Sequence, residues 1–350
     1  MDITGAFQGG NPQDLQSIVP LGNGSFAIYP FSEDEDACYK FRLDVKVIAN
    51  GTEASRRVKL QIHWGDVRYI AYRTRIFAGR NGDDWTCHDG TADGDVAHFE
   101  LDVPPGETYL TLNPKYDYDD YLRLIRRGGD SRSVATEMVT QTLEGREIWL
   151  LATRNQERVP KIMVTARAHP YETGGSYCIE GILDDILDGR AEYLQSAHVF
   201  VLPMLSPDGV SNGLCKLSRT GGEDIARSEN RNDPLVASLF SLVERIQPHF
   251  ILDLHNWMIP SRNGLYYEKP RWMRQFVENM GRRGHNDREW TYGTRKKFFA
   301  ESPTGLKAFA KRQFGTRCMT VEYPWFGRSV VQMKRLGSDS LRTVVEMLVK

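Results

Sequence analysis

The chain contains no run of about eighteen apolar residues, so no transmembrane helix is expected from it. C-x-x-C pairs are also missing: the five cysteines, Cys38, Cys87, Cys178, Cys215 and Cys318, are scattered. That argues against a thiolate zinc site or a disulfide scaffold, and all five read as small buried apolar side chains. Nor is there an excess of charge. The 45 basic and 46 acidic residues leave a formal net charge of -1, which argues against a nucleic-acid-binding surface. The opening residues, MDITGAFQGGNPQDLQ, lack the basic and apolar stretches of a secretory leader, so the expected location is the cytoplasm. No internal repeat or low-complexity segment stands out. What is present is a globular balance, 40% apolar and 26% charged, over 350 residues, enough for one large domain or two smaller ones.

Two textures divide the chain. In the first third, CYKFRLDVKVIA and RRVKLQIHWGD alternate apolar and polar residues at period two, and HFELDVPPGETYLTLNP is punctuated by PPG. Residues 1–112 are therefore expected to form a small antiparallel β-sandwich domain. From residue 113 onward the pattern changes. PKYDYDDYLRLIRRGG reads as a helix closed by Gly128 and Gly129. Short apolar runs follow (REIWLLATR, KIMVTARA, AHVFVLPML, HFILDLH), several of them separated by helical segments such as SYCIEGILDDIL and PLVASLFSLVERI. This alternation predicts an α/β domain over 113–350, with a mixed, mostly parallel sheet flanked by helices. Residues 262–300, rich in Arg, Lys and aromatics, read either as a solvated, loop-rich insertion or as a substrate-facing wall.

The chemistry concentrates at the ends of apolar runs. KIMVTARAHPYE ends in a polar turn that presents His169 and Glu172 three residues apart. HFILDLHNWM brings a second histidine, His255, to the end of another run. Two imidazoles and a carboxylate, with a fourth position left for water, describe a hydrolytic zinc site, although a structural ion pair uses the same residues. In TRCMTVEYPWFG, Glu322 stands late on a strand-like segment, either as a general base near the metal or as an outward-facing edge residue. The intervening segment VLPMLSPDGVSNGLCKLSRTGGEDIARSEN supplies three cations, Lys216, Arg219 and Arg227, suited to an oxyanion or a substrate carboxylate.

The order of these pieces resembles the M14 family of zinc metallocarboxypeptidases, and most of all its cytosolic carboxypeptidase branch. The resemblance covers about Pro114 to Phe326, and a β domain in front is also typical of that branch. QTLEGREIWLL is similar to the family's "G-x-T-x-E-G-R" strand, ARAHPYETGGSY to "A-R-x-H-P-G-E-T", PMLSPDGVSNG to "P-M-L-N-P-D-G-V-x-x-G" and DLHN to "D-L-H-G". The resemblance implies one Zn²⁺ per chain on His169, Glu172 and His255, with Glu322 as general base. GEDIAR aligns with "G-V-D-L-N-R", which makes Asp224 the partner of His169 and Arg227 the receptor for the substrate's terminal carboxylate. Ala226 stands where the family has asparagine. The oxyanion arginine falls nearest Lys216, or Arg219 after a one-residue shift. For the substrate-capping tyrosine, Tyr292 is the candidate, with Tyr266 and Tyr267 behind it.

The expected function is that of a zinc-dependent peptidase removing a residue from the C-terminal end of a peptide. A zinc amidohydrolase acting on N-acyl amino acids or cell-wall peptides is the alternative, and a peptide-binding protein with a degenerate site is the non-enzymatic one. The expected partner is a peptide or small amide, with no nucleic acid and no membrane. The basic stretch from Arg271 to Lys297 hints at acidic substrates.

Overall fold

The computed structural model describes residues 1–12, 15–33, 39–51, 55–80, 84–154, 160–189, 192–293 and 304–349. Cys38 and the basic residues Arg295, Lys296 and Lys297 lie outside the described residues.

Among the described residues, ten strands build the first part: β1 (Asp2–Thr4), β2 (Ile18–Gly22), β3 (Ser25–Ile28), β4 (Asp44–Ala49), β5 (Arg56–His63), β6 (Arg75–Gly79), β7 (Trp85–Asp89), β8 (Thr91–Asp93), β9 (Val96–Val103) and β10 (Gly106–Thr111). They form two five-stranded sheets, ordered β1-β4-β10-β6-β7 and β2-β3-β5-β9-β8. Period-two patterning decides which face is buried. On β5, Val58, Leu60 and Ile62 are buried between exposed neighbours, and Leu60 pairs with Phe99 of β9. The pairing is antiparallel throughout except between β3 and β5, which run parallel. A one-turn helix, α1 (Ile70–Arg73), connects β5 to β6.

The second part opens on α2 (Tyr118–Gly129), whose start is fixed by a reciprocal cap. Asp117 Oδ1 accepts from the N–H of Asp120, and Asp120 Oδ2 accepts from the N–H of Asp117. Eight strands follow: β11 (Val134–Gln141), β12 (Glu147–Thr153), β13 (Lys161–Ala166), β14 (His198–Leu202), β15 (Phe250–His255), β16 (Arg262–Tyr266), β17 (Glu289–Gly293) and β18 (Arg317–Glu322). They are interleaved with α3 (Thr173–Leu187), α4 (Pro207–Ser211), α5 (Pro234–Ile246), α6 (Pro270–Arg282), α7 (Leu306–Phe314) and α8 (Val330–Val349). The sheet order is β11-β12-β14-β13-β15-β18-β16-β17, and its centre, β14-β13-β15-β18, is parallel.

The central strands are buried on both faces, which is why they read as unbroken apolar runs. On one face Ile162, Val164, Leu252 and Leu254 pack with α3 and α8. On the other, Met163 and Ile251 pack with α5 and α7. Because β14 lies on one side of β13 and β15 on the other, the chain reverses direction beyond the carboxyl ends of β13 and β15. Such a crevice is where open α/β sheets bind ligands.

Residues 262–293 correct the expectation of a loop-rich insertion. They form β16, α6 and β17, and extend the sheet. Helix α6 buries Met273, Phe276 and Met280, with Trp272 and Val277 packed beside them, an apolar stripe at helical spacing in an otherwise polar segment. Among the cysteines, Cys178, Cys215 and Cys318 are buried as expected, whereas Cys87 on β7 is only partly buried.

The sandwich and the α/β part share one apolar core. Trp325, fully buried, packs edge-on against Phe77 of β6 and Tyr177 of α3. Its backbone N–H donates to the Tyr72 hydroxyl of α1, which in turn donates to Asn113 Oδ1 at 2.7 Å. Among the described residues, no helix is long and apolar enough to cross a membrane.

Candidate functional site

Three parallel strand ends deliver the site. β13 ends at Ala166, and the turn that follows bends through Arg167, a buried residue with φ of 57°. Left-handed backbone at a bulky residue is costly and persists only where surrounding contacts impose it. Here the Arg167 guanidinium donates to the carbonyl of Tyr116 at 3.1 Å and to Ser176 Oγ at 3.3 Å. The turn then presents His169, and Glu172 just ahead of α3. His255 is the last residue of β15 and Glu322 the last of β18, and they are register partners.

His169, Glu172 and His255 offer ligand atoms that all lie within 4.8 Å of one another. His169 Nδ1 is 2.8 Å from Glu172 Oε1, and His255 Nδ1 is 2.7 Å from Glu172 Oε2. The opposite ring nitrogens face other carboxylates. His255 Nε2 donates to Asp253 Oδ2 at 2.8 Å, and His169 Nε2 faces Asp224 Oδ1 across 3.3 Å. A carboxylate can only accept, so a cation at the common centre, bound through Nδ1, would leave the N–H of each ring at Nε2 with a carboxylate facing it. Glu172 Oε2 is buried and makes no hydrogen bond despite its nearness to His255. An orphaned carboxylate oxygen and two inward imidazole nitrogens are a donor set that fits a divalent cation.

The carboxylates and imidazoles also set one another's charge. Burial opposes charge on His169, yet Glu172 and Asp224 raise its pKa to about 9. His255 is raised well above its usual value, against burial, by Asp253 and Glu172. Burial would raise Glu172 too, but the two imidazoles hold it down to about 2. Asp253 is likewise lowered in spite of burial, by His255 and by Lys307. Lys307 Nζ donates to Asp253 Oδ2 and, at 2.8 Å, to Thr320 Oγ1, while Thr165 donates to Asp253 Oδ1 at 2.6 Å. Glu322 differs: burial, with Glu172 adding to it, raises its pKa to about 7 against the opposing histidines. Its neighbour in the sheet is Gly264 of β16, where a Cβ would lie 1.6 Å from the Trp257 ring and 2.9 Å from the Glu322 Cβ. Only glycine leaves space there for both side chains.

These groups open into a cleft of about 390 Å³. His169, Glu172, Lys216, Arg227 and Glu322 line it, together with Tyr171, Cys215, Asn256, Trp257, Met258, Ile259 and Tyr266. The sandwich contributes Tyr39, Phe41 and Tyr69 to the same wall. Phe41 lies 5.1 Å from Tyr171 and 5.4 Å from Tyr69 between ring centroids, and Trp257 stacks on Tyr266 at 5.6 Å. The Lys216 ammonium sits 4.4 Å from the centre of the Tyr39 ring. Arg227 donates to Asp224 Oδ2.

Not every candidate reaches the cleft. Arg219 turns to the carbonyl of Thr220 and to Asp233 Oδ2 at 3.5 Å, and is not among the lining residues. Tyr292 stands 45% exposed on β17, outside the lining, whereas Tyr266 belongs to it. Tyr267 is buried against Phe250 and Trp272 and is not part of the wall. Sequence reasoning passed over Asp253, although its place two residues before His255 on one strand sets both on the same face. It also passed over the aromatic residues of the sandwich, for which no local signal exists.

Comparison with known proteins places these observations among relatives. Residues 121–234 match the family model described as zinc carboxypeptidase. Cytosolic carboxypeptidase 2 of Xenopus tropicalis is 38% identical over 183 residues, covering 48% of this chain and 17% of that protein. The protein of the same name from Macaca fascicularis is 36% identical over 95 residues, 24% of this chain and 11% of that one. This chain thus spans well under a fifth of the length of these curated relatives. A metallo-carboxypeptidase from Pseudomonas aeruginosa, in complex with (2-guanidinoethylmercapto)succinic acid, superposes with a TM-score of 0.79 at 20% identity, over 100% of this chain and 99% of that one. One from Burkholderia cenocepacia gives 0.79 at 16%, over 99% and 98%. At these identities the likeness to the solved structures shows the fold.

Proposed function

We propose that the chain, whose residues 121–234 match the zinc carboxypeptidase family model, is a zinc-dependent hydrolase of the M14 family that removes the C-terminal residue of a peptide. The division into a sandwich at 1–112 and a catalytic part at 113–350 belongs to this reading, as do one Zn²⁺ per chain and the cytosolic setting named for the relatives. The observation that carries it is the convergence of His169, Glu172 and His255 beside Glu322 at parallel strand ends.

These three residues would hold a zinc ion, which would supply a Lewis acid for the scissile carbonyl and acidity to the attacking water. The chain does the rest. Glu322 takes the proton from the attacking water and passes it to the departing amine, a role suited to a carboxylate tuned close to neutrality. Lys216, in the cleft, is assigned to the developing oxyanion, in preference to Arg219, which is turned toward Asp233. Arg227 receives the substrate carboxylate: one arm is bonded to Asp224, and the planar fork carries further donors. Tyr266, rather than Tyr292, stands where a phenol can cover the bound substrate. The test combines metal analysis of the purified chain with assay on peptides differing only in the last residue. Bound zinc at one per chain with release of that residue is expected; no hydrolysis of any peptide or amide removes the proposal.

Ala226, standing where the carboxypeptidase pattern has asparagine, favours a second reading as an amidohydrolase of N-acyl amino acids. Higher rates on N-acyl amino acids than on blocked dipeptides and longer peptides would select it.

A further inference from the structure

The segment that carries Lys216 is held by residues of the β-sandwich part. The backbone N–H groups of Cys215, Lys216 and Leu217 all donate to the carboxylate of Glu33, at 2.9 Å for Cys215 and 2.7 Å for Leu217. Just upstream, Arg42 donates to the carbonyls of Leu214 and Val210, each at 3.1 Å, and Asn11 Nδ2 donates to the carbonyl of Gly213 at 3.0 Å. Beyond the backbone, the Lys216 ammonium lies over the ring of Tyr39.

Three successive N–H groups converging on one point make an anion-binding concavity. Left open beside a substrate cleft, it would compete for the carboxylate that Arg227 is there to receive. Glu33 fills it with a carboxylate from the chain's own first part. The lysine has a further need. Its ammonium is a point charge on a flexible stem, where an arginine would bring a rigid fork. Such a cation can meet a developing oxyanion only if its backbone and stem are held by something else.

We propose that the sandwich is a working part of the active site, in which Glu33 is a positioning residue that acts through Lys216. For its catalytic consequence the proposal rests on the hydrolase reading above. Its structural half, the grip of Glu33 on residues 215–217, stands apart from it.

The experiment uses the full chain, with Glu33→Ala, Glu33→Gln, Lys216→Ala and the double variant Glu33→Ala/Lys216→Ala, each checked for metal content and thermal unfolding. If Glu33→Ala does not fold, Glu33→Gln, which keeps one acceptor oxygen, takes its place. In Glu33→Ala, kcat/KM is expected to fall about tenfold or more, chiefly in kcat, within the ~10²–10³ that loss of an oxyanion donor costs. Metal content is expected to stay at the parent level, and added acetate to restore part of the rate by refilling the concavity. The double variant should lose no more than Lys216→Ala alone, because both changes remove one function. Amide hydrogen exchange at 215–217 should quicken in Glu33→Ala whatever the activity. A kcat/KM within twofold of the parent, or losses that multiply in the double variant, would overturn the proposal. If the parent chain hydrolyses nothing, the hydrolase reading fails, while unchanged exchange at 215–217 separately refutes the role of Glu33.

Discussion

Asp253 and Glu322 are carboxylates near the ends of adjacent strands, and their surroundings push them in opposite directions. Asp253 is enclosed by His255, Lys307 and Thr165 and is held ionised. Glu322 has burial and the charge of Glu172 to contend with and rises to about 7. Such divergence separates a fixed anion from a proton carrier. Glu322→Gln is expected to keep its metal and lose at least about 10²-fold in kcat, in line with removal of a general base. The parent's kcat/KM should fall as pH drops through the Glu322 value, which a bound dication sets below about 7. Asp253→Asn should weaken metal binding by about 10–100-fold, measured by chelator competition, because the His255 ring loses its anchor. The metal-free protein has its own pH signature. Glu172 is depressed, so its contribution to stability is present above 4.5 and lost as pH falls toward about 2. His169 is elevated, so its contribution is present below 6.5 and lost as pH rises through about 9. Thermal unfolding across pH should show the metal-free chain losing stability on both sides.

Strands and turns make the candidate ligands readable in the sequence. His169, Glu172, His255 and Glu322 each follow or end an apolar run, and buried parallel strands announce themselves in that way. What the elements hide is the partner across a sheet. Nothing local to RNGLY shows that Gly264 must clear space for Trp257 and Glu322, because that demand comes from the pairing of β16 with β18. Gly264→Ala should therefore destabilise the protein by about 1–3 kcal/mol through overpacking and reduce kcat by displacing Glu322. Thermal unfolding and single-turnover rates would show both. Helix α6 does carry a legible stripe, Trp272, Met273, Phe276, Val277 and Met280, but its Arg and other polar positions invite a reading as a solvated loop.

Over the whole molecule, what the sequence could not foretell is long-range contact. Period-two patterning foreshadows the sandwich, but not that Phe41 meets Tyr171 or that Tyr72 reaches Trp325. These joins make the two parts one core. Calorimetry of the full chain should show a single cooperative transition, and expression of residues 113–350 alone should give a chain that does not fold, with Trp325 and Phe41's partners stripped of cover. Two separate transitions would contradict a shared core.

The wall formed by Tyr39, Phe41 and Tyr69 has an evolutionary consequence. In the proposed hydrolase, the side chains that act on the bond come from one stretch of the chain, while another stretch supplies part of the mouth and the hold on Lys216. Change at Phe41 and Tyr69 can therefore alter what enters the cleft while leaving His169, Glu172, His255 and Glu322 in place, whereas change at Tyr39 also disturbs Lys216.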